Sequence, residues 1–152
     1  MSYTVAALPM ALYTVALILG VLDVPLGFAD DSLSPLAQWM LFLSLGLQSL
    51  WAALGHAVFR QRVADSIGWD PSPFQFEIAG ANLGIGLGAI AASMLGEPAG
   101  WAIFFVAAGF LWSAAATHIR DMIAEANFAI NNAGPIFWWD LLTPLTLLIA
   151  LW

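Results

Sequence analysis

Five apolar stretches decide what this chain can become: roughly Val5–Leu22, Leu36–Phe59, Phe74–Leu95, Trp101–His118 and Ile136–Trp152. Each runs about 17–24 residues, enough at ~1.5 Å per residue to cross a hydrocarbon core of ~30 Å. In lipid every backbone N–H and C=O must find a partner inside the protein, which leaves helices and closed barrels, and the absence of period-2 alternation selects helices. The expected fold is all-α: an integral membrane bundle of five transmembrane helices in a single domain over residues 1–152. Pro9 and Pro144 fall inside the first and fifth stretches, where they predict kinks. MSYTV has no basic residue and no small-x-small site follows, so the first stretch is expected to be retained rather than cleaved as a signal.

Composition agrees with a bilayer as solvent: 62% of residues are hydrophobic, 9% are charged and the mean hydropathy is +0.89. A net charge of −7 with three basic residues excludes a nucleic-acid face, which needs cations to neutralise phosphates. Without cysteine there are no disulfides, thiolate metal sites or thiol nucleophiles. Arg60 and Arg62 follow the second stretch and Arg120 follows the fourth, whereas the opposite loops hold Asp23, Asp30, Asp31 and Glu97. The positive-inside rule then places the N-terminus in the cytoplasm and the C-terminus outside, as expected of a prokaryotic inner-membrane protein. Gly80, Gly84 and Gly88 recur every fourth residue, a small-xxx-small face predicting close helix packing at Gly84. The GIGLG string inside that run lacks the preceding strand that a phosphate-cradling loop requires.

Ionisable residues cluster near the arginine end. By helical rise His56, Glu77, His118 and Asp140 lie at similar depth on four helices, within roughly 6–9 Å of one interface. Gln48, Ala52, His56 and Arg60 share a face by i, i+4 spacing, as do His118, Asp121 and Glu125. Charges at this depth need partners, so Asp140 is expected to meet Arg60, Arg62 or Arg120, and Glu77 to lie near a histidine and an arginine. These residue types support three chemistries. His56, Glu77, His118 and Asp121 are suitable ligands for a metal ion. His56 and His118 are candidate axial ligands for haem. Histidine and glutamate also serve proton relay, although Asn82 and Ser93 are isolated on the way to the outer end. A structural salt-bridge layer accounts for the same residues. Asn131 and Asn132 are read as caps or bridges between helices, and Trp39, Trp51, Trp69, Trp101, Trp138 and Trp139 as interfacial anchors.

The runs GHAVFRQRVADSIGW, SPFQFEIAGANLGIG and HIRDMIAEANFAINNAGPIFWWDLLTPL resemble a small polytopic membrane-protein family defined as a domain of unknown function, over roughly Gly55 to Leu145. The resemblance implies a compact membrane domain, draws attention to His56, Ser72–Glu77 and His118–Arg120, and supplies no reaction. The expected function is that of a structural or accessory subunit, or of a small-ligand binder, with the lipid bilayer and further copies or subunits as partners. The alternatives are a metal- or haem-dependent oxidoreductase using His56 and His118 and a proton or small-solute transporter.

Overall fold

Ser34 and Pro35 show how the sequence sets the helix starts. The Ser34 hydroxyl accepts the Ala37 amide at 3.2 Å and Pro35 occupies the first turn, where its missing N–H costs nothing. The computed structural model describes residues 7–152, so the beginning of the first apolar stretch and the MSYTV reading lie outside the described residues. Among the described residues six helices follow one another: α1 Leu8–Val21, α2 Pro35–Val58, α3 Arg60–Ile67, α4 Phe74–Leu95, α5 Glu97–Ala124 and α6 Pro135–Leu151. There is no strand among the described residues. α2, α4 and α5, with 24, 22 and 28 residues, are long and apolar enough to cross a membrane, while α1 and α6 are shorter apolar helices. Phe105, Val106, Leu87, Ile18 and Ile149 point outward, an apolar surface that suits lipid rather than water.

Helix α2 is not uniform. Met40–Leu47 winds as a π-helix between α-helical turns at Pro35–Trp39 and Gln48–Val58. Around the bundle α1 packs on α2, α2 on α4, α4 on α5, α5 on α6 and α6 on α1, and the π segment also touches α6 across the middle. The core they enclose contains Met40, Leu41, Leu45, Phe104, Leu111 and Leu147. Ser44 and Thr143 share a hydroxyl hydrogen bond at 2.9 Å, and the Trp139 indole N–H donates to the Ser44 carbonyl at 2.9 Å.

Hydrogen bonds tie the loops at each end. At one end Gln38, fully withdrawn from the surface, accepts the Leu26 amide at 2.9 Å and donates to the Leu33 carbonyl at 3.1 Å. There the Asp30 amide also reaches the Ser93 carbonyl at 2.9 Å. Hydrogen bonds from the Ser32 hydroxyl and amide hold the Asp30 carboxyl below the usual carboxylate range. At the other end Asn131 bonds Ser66 and Asn127 bonds Ile67, which joins the α5–α6 loop to α3. Arg60, Arg62 and Arg120 therefore belong to one end of the bundle.

Two proline expectations resolve differently. Pro9 sits in the first turn of α1, where it is accommodated. Pro144 lies inside α6, buried beside the Ser44–Thr143 bond, in a helix that continues to Leu151. The expectation for Gly84 is corrected within the chain: a Cβ at Gly80 or Gly84 meets nothing within 4 Å. Close approach occurs instead at Gly20, where a Cβ would stand 2.5 Å from Leu36 Cα, and at Gly86, where it would stand 3.0 Å from the Gly46 carbonyl oxygen. Gly88 meets only the flexible end of Ile103. Gly80 and Gly84 lie on the open side of α4, and the face that packs closely is the one carrying Gly86. We predict that Gly20→Ala lowers the melting point of the detergent-solubilised protein, at a cost of about 1–3 kcal/mol from overpacking. Gly84→Ala, in open space and relieved of glycine's backbone entropy, should not lower it.

Candidate functional site

His118 lies one and a half turns from the end of α5 and is 3% exposed. Its position depends on the chain that follows. Beyond α5, Asn127 makes an Asx-type turn to the Ala129 amide at 3.1 Å, and the segment folds back beneath the helices. That return delivers Asn132, which is fully buried. Asn132 Nδ2 donates to the carbonyls of Asn127 at 2.7 Å and His118 at 3.4 Å, so the amide orientation is determined and Oδ1 is left to accept. It accepts from His118 Nδ1 at 2.7 Å, which fixes the proton on that nitrogen.

The other ring nitrogen, Nε2, faces Asp140 Oδ2 at 3.5 Å. That separation is at the outer limit of a hydrogen bond, and the carboxylate oxygen has no closer partner among the described residues. With Nδ1 protonated, one further proton serves both groups, on Nε2 as an ion pair or on the carboxyl as a neutral pair. Net charge at the pair is zero in both arrangements, which suits a site in the bundle interior.

Trp69 covers the histidine. α3 ends on Gly68, whose φ of +83° is left-handed and whose α-face is filled by the Asn127 side chain, and the chain then places the Trp69 indole on His118 with centroids 5.7 Å apart and planes 15° from parallel. The indole N–H donates to Asp121 Oδ2, and Arg120 approaches the other carboxylate oxygen at 3.9 Å. The Arg120 side chain is 75% exposed, so this ion pair is weak and the indole bond is the specific one.

His56, near the end of α2, completes the site. His56, Trp69, Asn82, His118 and Asp140 line a cavity of about 260 Å³ whose remaining wall is largely apolar, with Phe110, Leu111 and Ile136 among its residues. A smaller chamber of about 80 Å³ adjoins it, lined by Gln48, Trp51 and Asn131 and sharing Ala52, His56, Ile67 and Ile136 with the first. Five of the six buried side-chain atoms without a hydrogen-bond partner among the described residues belong to residues lining these two spaces: both amide atoms of Gln48, His56 Nδ1, Asn131 Oδ1 and Asp140 Oδ2. Buried polar atoms are ordinarily satisfied, so their concentration here singles out these two spaces.

Several sequence-based expectations are corrected by this geometry. His56, Glu77, His118 and Asp121 do not gather round an ion; among the described residues no three His, Asp or Glu side chains do. Glu77 is exposed and makes no ion pair within the described residues, because its position in the first turn of α4 turns it away from the cavity wall formed by Ile78 and Asn82. His118 Nδ1 is taken by Asn132 and its Nε2 faces Asp140 at 3.5 Å, so neither ring nitrogen points freely towards His56 as a pair of axial haem ligands would. Asp140 pairs with His118 and not with an arginine. Arg60 and Arg62 are exposed, the latter with its guanidinium 5.8 Å from the Phe59 ring centroid, and Arg60 lies on α3, off the His56 face, because α2 ends at Val58. Glu125 is exposed just beyond α5. Trp139 is a core residue at 2% exposure rather than a surface anchor, and Trp69, partly exposed, is also a wall of the site. Their buried indole N–H groups, each needing an acceptor, were the missing signal.

The fold and site together define a class: an all-helical apolar bundle with a polar histidine centre enclosed at one end. The chain belongs to the family DUF6790, a family of unknown function whose model matches residues 3–152. No curated protein and no solved structure matches it.

We predict that Asn132→Ala, which strands the His118 Nδ1 proton and two carbonyls, lowers stability by about 1–3 kcal/mol in detergent melts.

Proposed function

We propose that the protein is an integral membrane protein that crosses the bilayer five times and holds a small, mostly apolar molecule between its helices. The observation that carries this reading is the cavity between α2, α4, α5 and α6, apolar over most of its wall and interrupted by His56, whose buried Nδ1 the described residues leave unpartnered, and by Asp140, whose Oδ2 has only His118 at 3.5 Å. Ligand sites have this character: an apolar lining that supplies affinity and a few polar groups that orient. At about 260 Å³ the space is at the small end of the ~300–1,000 Å³ usual for such sites, which selects a compact ligand.

Binding accounts for the polar residues better than conduction does. Asn82 donates to the Ile78 carbonyl and Ser93 to the Ile90 carbonyl, so both are satisfied on their own helix and extend no polar path towards the far end. Titration with 1-hexanol of the protein in nanodiscs is expected to change tryptophan fluorescence saturably, because Trp69 lines the cavity; Ala114→Phe, which fills it, should abolish the response. A linear, unsaturable response shared by both proteins would contradict ligand binding.

The arginine-bearing end is assigned to the cytoplasm by the positive-inside rule, and five crossings place the two chain ends on opposite sides. At ~1.5 Å per residue the 14 residues of α1 and 17 of α6 reach about 21 and 26 Å, short of a ~30 Å hydrocarbon core, so crossing by these two requires local thinning of the bilayer. The chain has no cysteine, so single replacements report cleanly. Asp65→Cys and Phe128→Cys should be protected from an impermeant thiol reagent added outside cells, and Asp31→Cys should be labelled.

A further inference from the structure

The smaller chamber specifies the chemistry of the ligand's polar end, an inference that rests on the cavity being a ligand site. Gln48 is 1% exposed and neither its amide oxygen nor its amide nitrogen has a hydrogen-bond partner among the described residues. Asn131 is 5% exposed; its nitrogen donates to Ser66 Oγ at 3.0 Å, which leaves its oxygen as an unpartnered acceptor. His56 contributes Nδ1. These three side chains line the same chamber, which contains no Arg, Lys, Asp or Glu.

The inventory is therefore two amide oxygens that accept, one amide nitrogen that donates, and an imidazole nitrogen free to do either. A carboxylate brings no donor to the two oxygens, an ammonium brings no acceptor, and either charge is buried without a counter-charge. A single hydroxyl brings one donor for two acceptors. A primary carboxamide matches the set: its two N–H bonds serve the oxygens of Gln48 and Asn131, and its carbonyl accepts from Gln48 Nε2 and His56 Nδ1. Because both Gln48 atoms are unpartnered, the match holds for either orientation of that amide. The chamber, at about 80 Å³, exceeds several-fold the ~10–15 Å³ that one water requires, and it lies beside the apolar cavity, with Ala52, His56, Ile67 and Ile136 lining both.

We infer that the ligand is a small neutral molecule with a primary carboxamide head, held by Gln48, Asn131 and His56, and a short apolar tail in the larger cavity.

The test is a matched series of hexanamide, 1-hexanol, hexanoate and hexylamine, titrated against the protein in nanodiscs with tryptophan fluorescence as readout, since Trp51 and Trp69 line the two spaces. Hexanamide is expected to bind at least tenfold more tightly than the other three. Gln48→Leu should reduce hexanamide to the affinity of 1-hexanol while leaving the melting transition cooperative, because the amide it removes has no partner in the described protein; Gln48→Met and His56→Phe provide the same comparison should that variant not fold. Equal binding of the four, or preference for the acid, amine or alcohol, overturns the carboxamide assignment and leaves the cavity reading standing. Preference for hexanamide that persists in all the variants also overturns it. Saturable binding by none of the four overturns both.

Discussion

The hydrogen bond between His118 and Asn132 is the interaction on which the arginine end of the molecule depends. A histidine buried in an apolar bundle is tolerated only when both ring nitrogens are engaged, and the first engagement comes from a loop residue fourteen positions on. For that amide to arrive, the chain after α5 must turn sharply at Ala126, whose φ is +50°, cap itself through Asn127 and tie Asn131 to Ser66. The loop is thus shaped by the needs of a helix side chain. The same return brings α6 alongside α5 with Asp140 opposite Nε2, so one polar contact sets the loop, the pairing of two helices and the protonation of the ring.

Around that contact the polar groups form layers of different kinds. Trp69 and Asp121 close the site from the outside with an aromatic face and a charge-assisted bond, while Ser44, Thr143 and Trp139 knit α2 to α6 deeper in the bundle. Between these two sets lie the cavity and its side chamber, where the protein's own pairing stops. The contrast is informative, because the same chain that satisfies Asn132 three times over leaves Gln48 without a partner among the described residues.

Much of the fold was legible because lipid permits so few backbone solutions. The Phe74–Leu95 helix has the same bounds in the sequence and in the structure, and Gly68, Gly96 and Pro135 punctuate the helices as turn chemistry requires. The fourth apolar stretch was underestimated: α5 begins at Glu97, with Pro98 in its first turn, and runs six residues beyond His118 through polar positions that hydropathy discounts. The site was legible in part. The i, i+4 face of Gln48, Ala52 and His56 does line one chamber, and the depth argument placed His118 and Asp140 together. What failed was partner assignment. Charge counting sought arginines for Asp140 and Glu77, yet three long side chains near a bundle end can lay their stems along the protein and keep their guanidinium groups in water. Tryptophan, treated as a marker of the interface, proved to be a hydrogen-bond donor inside it.

The eight-residue π segment of α2 has a consequence for how this helix tolerates change. Each residue of an α-helix turns the chain by about 100°, so inserting or deleting one residue between Met40 and Leu47 rotates everything after it by roughly that angle. A deletion would move Gln48, Ala52 and His56 together into the positions now held by Leu47, Trp51 and Gly55, and so change which polar groups face the chamber. The wide turn thus acts as a phase setting: the angular alignment of the chamber-facing residues is stored in the backbone winding upstream of them, where no side chain of the site is found.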